Sequence, residues 1–145
     1  MFNIILVPTD GSELADKAIY AAAELARNTH GKIIGLAVVE PYPYSSFADE
    51  GVLPDPEPHN NGLLERAQTY VDRIKAAAEQ AGVPCETFTS LAADPAMEII
   101  NTAATHSCDV VFMASHGRRG IQRLVLGSVT QKVMAHTTLP ILVFR

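Results

Sequence analysis

Residues 109–131, DVVFMASHGRRGIQRLVLGSVTQ, decide the fold. Asp109 to Ala114 is a short apolar run that reads as a buried strand, and Leu126 to Gln131 reads as the start of a helix. Ser128 and Gln131 stand at capping-box spacing. Between strand and helix lies a loop with Gly117, Gly120 and Gly127 and the arginines Arg118 and Arg119. A helix N-terminus offers unpaired backbone N–H groups and roughly half a positive charge, and glycines let a ligand approach the backbone closely. The stretch is suited to a phosphate. It is neither the Walker pattern, which needs Gly-Lys-Ser/Thr, nor the GxGxxG dinucleotide fingerprint. Glycine loops of this kind also join strands to helices where no ligand binds.

Outward from that stretch, strand-like and helix-like segments alternate: strands over 2–7, 32–39, 84–90, 109–114 and 140–144, helices over 13–29, 62–81, 95–107 and 128–137. FNIILV, KIIGLAVV, VVFMA and PILVF are nearly continuous apolar runs, as parallel strands covered on both faces require. The expected architecture is α/β, an open parallel sheet with helices on both faces. In 62–81, Leu63, Leu64, Ala67, Val71, Ile74 and Ala78 form one stripe, with Gly82 and Pro84 as a stop. Asp94-Pro95 is a cap followed by a first-turn proline. Residues 40–61, EPYPYSSFADEGVLPDPEPHNN, hold five prolines and three aromatics with no period, and read as a long surface loop able to act as a lid over the same sheet edge.

The chain has 145 residues, so it reads as one domain over 1–145, large enough to bury about two thirds of its unfolded surface without metal or disulfide. Cys85 and Cys108 lie in separate elements with no CxxC and read as reduced, buried thiols in a cytoplasmic setting. The opening MFNIILVPTDGS lacks a basic n-region and reads as a first strand, not a signal peptide. No run reaches membrane-spanning length. The net charge of −5 argues against general nucleic-acid binding. All sixteen carboxylates fall in residues 1–109, whereas residues 110–145 hold none and five Lys/Arg. A carboxylate-free surround favours a polyanion.

Open parallel sheets bind ligands at the carboxyl ends of their strands. Those ends carry Pro8-Thr9-Asp10, Val38-Val39-Glu40 and Ala114-Ser115-His116-Gly117. Asp10 can accept from ribose hydroxyls or hold a divalent cation against phosphates, although an aspartate before a helix is commonly a turn residue. The histidines show no ligand spacing, so no metal is expected from protein alone, and any Mg²⁺ would come with a nucleotide. There is no G-x-S-x-G elbow, and a response-regulator reading fails because Ser90-Leu91 and Phe144-Arg145 stand where an acidic phospho-acceptor and a lysine would be needed.

These residues resemble the universal stress protein family. Its nucleotide signature, Gly, two residues, Gly, nine residues, Gly, Ser or Thr, aligns here as Ala114, Ser115-His116, Gly117, Arg118 through Leu126, Gly127, Ser128. VPTDGS, the strand ending Val38-Val39-Glu40 and the closing LPILVFR match as well. The resemblance implies a Rossmann-like sheet of the adenine nucleotide alpha hydrolase type, with strand order 3-2-1-4-5. It also implies homodimerisation through the last strand and binding of ATP, or ADP or AMP. It assigns Asp10, bordered by Pro8 and Thr9, to ribose and phosphate or metal, and Val38 to backbone recognition of adenine. Gly117, Gly127 and Ser128 become the phosphate cradle, extended by Val129 and Thr130, with Ser115, His116, Arg118, Arg119 and Gly120 around it. Ala114 replaces the first glycine, at small cost if that residue keeps β geometry. The apolar edge 140–144 independently invites strand-to-strand dimerisation. The chain reads as a nucleotide-responsive binding module with a regulatory protein partner. The alternatives are a slow ATPase drawing on Asp10 and His116, and a nucleotide-free dimeric scaffold.

Overall fold

The computed structural model describes residues 2–41, 57–118 and 126–145. Five strands, β1 (Ile4–Pro8), β2 (Lys32–Val39), β3 (Cys85–Leu91), β4 (Val110–Ala114) and β5 (Ile141–Phe144), form one parallel sheet in the order β3-β2-β1-β4-β5. The helices are α1 (Glu13–Thr29), α2 (Glu57–Ala81), α3 (Pro95–Thr105) and α4 (Ser128–His136). Both the parallel sheet and its order agree with expectation, and most element ends fall within two residues of those read from sequence.

Strand alternation sends side chains to two faces. Ile5, Val7, Ile33, Ala37, Val110 and Phe112 pack with α1 and α2, where Ala18, Ala22, Ala23 and Ala26 meet Ala67, Val71, Ile74 and Ala78. The small side chains of α1 let it approach the sheet closely. Leu6, Ile34, Leu36, Val111 and Met113 face the other way, onto Ala96, Ile99 and Ala103 of α3 and Val133 of α4. Helices on both faces explain why β1, β2 and β4 are apolar almost throughout, whereas the edge strand β3 carries Glu86, Thr87, Thr89 and Ser90.

One boundary differs by more. The loop expected over 40–61 gives way at Glu57 to α2, five residues before the helix read from sequence. Glu57, Pro58 and His59 are exposed, so this first turn contributes nothing to the apolar stripe from which a helix is recognised. The rest of that loop, 42–56, and hence its expected action as a lid, lies outside the described residues. Both thiols are free, Cys108 buried and Cys85 half-buried, and burial raises each to a pKa of about 11. They are protonated at neutral pH, as inert packing groups would be.

Candidate nucleotide site

The direction in which strands are added to the sheet reverses between β1 and β4. From β1 the sheet grows through β2 to β3, and then the chain returns to the other side of β1 to lay down β4 and β5. The two loops that leave β1 and β4 at their carboxyl ends diverge to opposite faces, one toward α1 and one toward α4. The gap between two loops that part in this way is the crevice in which open parallel sheets bind their ligands.

The β1 loop is held tightly. Thr9 is buried, its N–H donates to Leu36 O at 2.8 Å, and its hydroxyl accepts from Gly11 N at 3.1 Å. Gly11 has φ +76°, a left-handed turn that favours glycine. A side chain there would also overlap the Tyr70 ring, since a β-carbon would lie 2.4 Å from it. Asp10 Oδ1 accepts from Ser12 N at 3.1 Å, an Asx turn leading into α1, so the turn role foreseen for Asp10 is present.

The other carboxylate oxygen reaches across the crevice. Asp10 Oδ2 accepts from Arg118 N at 2.6 Å. Gly117 permits that contact, because a β-carbon on it would sit 2.5 Å from the same oxygen. Its φ is not positive, so this glycine is demanded by space and not by backbone conformation. Asp10 and the glycine loop, 107 residues apart in sequence, are thus in direct contact.

The β4 loop turns at Ser115, which is buried. Ser115 N donates to Phe144 O at 2.8 Å, its carbonyl accepts from Gly127 N at 2.7 Å, and its Oγ lies 3.0 Å from His116 Nδ1. Gly127 therefore packs directly on the loop's first turn, with room for a β-carbon only at 3.2 Å from His116 Cα. Thr130 is buried, and its hydroxyl donates to Ala114 O at 2.9 Å, fastening the first turn of α4 to the end of β4. Ala114 is an ordinary strand residue paired with Phe144, so a methyl group is compatible with the backbone there.

The start of α4 corrects the capping-box expectation. The N-cap is Gly127, in extended geometry with no side-chain cap, and Ser128 is the first helical residue, its side chain exposed. Gln131 does not reach back to the N-cap N–H. Its Nε2 donates to Leu126 O at 2.6 Å. The first turn has no acidic residue. With glycine at the cap and no acidic residue in the first turn, the helix supplies no counter-charge of its own to its dipole.

Arg118 is placed differently from a phosphate ligand. Its guanidinium lies 4.9 Å above the Tyr70 ring centroid and donates to Tyr70 Oη at 2.5 Å. It is thus turned toward α2. Arg73, also on α2, donates to Gly11 O at 3.2 Å and pairs with Asp16 at 3.1 Å. Tyr70 and Arg73 escaped the sequence reading. The available signal was a tyrosine on the buried stripe of α2, whose hydroxyl must find a partner.

Of the remaining expected site residues, Pro8 ends β1, and Val38 lies on the adjacent β2, paired with Ser90 and packed toward α3 and α4. Val129 packs against the same core. Arg119 and Gly120 lie outside the described residues. No group of three or more metal-ligating side chains occurs among the described residues.

The family description "Universal stress protein family" matches residues 1–145. This chain belongs to the universal stress protein family. The universal stress protein MJ0531 of Methanocaldococcus jannaschii is 30% identical over 145 residues, covering 100% of this chain and 83% of the relative. Among solved structures, the protein MJ0577 superposes with a TM-score of 0.84 at 28% identity, covering 99% of this chain and 96% of the other. More distant family structures share the fold. One is a complex with cAMP (TM-score 0.64, 21% identity, coverage 98% and 95%). Another, from Archaeoglobus fulgidus, is a complex with dAMP (TM-score 0.61, 17% identity, coverage 100% and 98%).

Proposed function

We propose that this universal stress protein binds an adenine nucleotide, ATP with Mg²⁺ in the first instance, in the crevice between the β1 and β4 loops. It acts there as a nucleotide-dependent regulatory module. The observation that carries the reading is the open start of α4 facing a loop fastened to Asp10. Backbone N–H groups of a helix with neither side-chain cap nor acidic first turn form an anion cradle. Asp10, whose oxygens accept from main-chain N–H groups, retains lone pairs for ribose hydroxyls or a nucleotide-borne cation. The concentration of positive charge after residue 109 favours a polyanion over a neutral nucleoside. Relatives of the same fold held cAMP and dAMP.

The chemistry of the residues fits the ligand. Ser128 and Val129 would supply main-chain donors to phosphates, Ser128 a hydroxyl, Val38 the strand backbone beside adenine, and Asp10 the sugar side, while Gly127, its N–H given to Ser115 O, would let the phosphates approach closely. Thr130 and Ser115 support this cradle through bonds to Ala114 and Gly127, with Pro8 and Thr9 bordering Asp10. Such a protein would work in the cytoplasm as a homodimer joined through β5. That edge is apolar, and Leu142 is 38% exposed on it. The occupied crevice would present a changed surface to a regulatory partner.

Titration calorimetry with ATP and Mg²⁺ tests the reading. Binding by the parent chain should weaken in Ser128→Ala, which loses a donor. It should weaken further in Gly117→Ala, whose new methyl group displaces the Asp10 carboxylate. Absence of heat at millimolar nucleotide would reject the proposal, and affinity unchanged from the parent in both variants would move the site elsewhere.

A further inference from the structure

The site described above is built from two loops, yet a third element touches both. Tyr70, buried on α2, lies under Gly11 of the β1 loop so closely that no side chain fits between them. The same ring carries the Arg118 guanidinium on its face and hydroxyl. Arg118 in turn uses its main-chain N–H to hold Asp10. The contacts therefore run from the α2 core through Tyr70 and Arg118 to the Asp10 carboxylate.

We infer that Tyr70 is a positioning residue for the nucleotide cradle: by anchoring the Arg118 side chain it fixes the Arg118 N–H, and with it the glycine loop, against Asp10. This rests on the nucleotide reading for its functional consequence and on geometry alone for the anchor. Arg118 is exposed and follows Gly117, and among the described residues its contacts are those with Asp10 and Tyr70. A charged donor meeting a phenol oxygen, together with stacking over the ring, restrains both ends of a long side chain. A loop ordered before ligand arrives spares the ligand the entropic cost of ordering it. The anchor also assigns Arg118 a role that its position in the phosphate signature does not suggest, that of a tether whose charge serves the protein.

Tyr70→Phe tests this without removing the ring from beneath Gly11. Two readouts are needed. In the ligand-free protein, hydrogen exchange at the Arg118 amide should accelerate about tenfold in Tyr70→Phe, while amides of β1 and β4 keep their parent rates. ATP affinity, measured by calorimetry, should fall about fivefold, the size of one ordinary hydrogen bond, since the lost bond acts on the ligand only through the loop. Arg118→Gln should reproduce both effects, and Tyr20→Phe, at an exposed site on α1, should reproduce neither. Unchanged exchange at Arg118 overturns the anchor, whatever ATP does. Faster exchange with undiminished ATP affinity leaves an anchor that does not serve the site, and overturns the inference. If the parent chain binds no ATP, the nucleotide reading fails and the positioning role fails with it, while the exchange measurement still decides whether the anchor exists.

Discussion

The starts of α1 and α4 form a contrast within one sheet edge. Each helix begins just beyond a central strand, and each presents its first N–H groups toward the same crevice. At α1 the protein satisfies them itself: Ser12 Oγ accepts from Ala15 N at 3.2 Å, and Glu13 and Asp16 place acidic charge in the first turn. At α4 the cap is glycine, the first turn carries no acid, and the side-chain ties, Thr130 to Ala114 O and Gln131 to Leu126 O, go to carbonyls and cap no helix N–H. α3 follows α1, with Asp94 accepting from Met97 N and Pro95 at the first position. One helix end is left open where its neighbours are closed, and that difference separates a structural helix start from a receptive one.

Erasing the contrast gives the largest expected effect. Ser128→Asp puts a carboxylate into the first turn of α4, as Glu13 does in α1. Calorimetry should then find ATP affinity reduced about 100-fold by like-charge repulsion at short range. The melting temperature should rise, because the added charge favours the helix end by about 0.3 to 1 kcal/mol. Loss of binding together with loss of stability would mean that the residue damages the fold and would break the comparison.

Gly11→Ala attacks the closed side. A left-handed backbone and overlap with Tyr70 should together lower folding stability by about 2 kcal/mol, read from the denaturant midpoint at unchanged slope. A smaller effect is expected at α3. The hydrogen bond from Lys132 holds the Asp94 carboxyl below its ordinary value of 3.8, with the Met97 N–H acting in the same direction. A carboxylate with a depressed folded-state pKa stabilises the protein above the ordinary value and loses that contribution as pH falls through the depressed one. Melting curves of Asp94→Ala should therefore differ modestly from the parent at pH 7 and converge with it in acid. A difference that persisted at low pH would locate the effect in packing instead of charge.

Reading order along the chain reflects what each feature depends on. The strands were legible because burial on both faces leaves an unbroken apolar run, and Asp94-Pro95 because a cap is a local arrangement. The position of Ala114 was legible for the same reason: its backbone needs only β geometry. Ser128 misled, since capping-box spacing is satisfied by any serine three residues before a glutamine, and here the helix begins one residue earlier than the motif supposes. The first turn of α2 was hidden by its exposed polar surface. The contact between Asp10 and Gly117 could not be read from either residue alone. It arises because β4 returns beside β1, and the glycine that looks like room for a ligand is first of all room for Asp10.

The central position of β1 carries a consequence for the order of assembly. β2 follows it in the chain, separated by a single helix, but its other neighbour arrives only with Asp109, which accepts from Asn3 N at 2.8 Å and Ile4 N at 3.2 Å across 106 and 105 residues. On a ribosome, β1, β2 and β3 can pair while two of the five strands have yet to be synthesised, leaving β1 with one edge uncovered. The crevice has no second wall until β4 docks. Ligand can then stabilise only a nearly finished chain, so occupancy would report completion of folding and not assist its beginning.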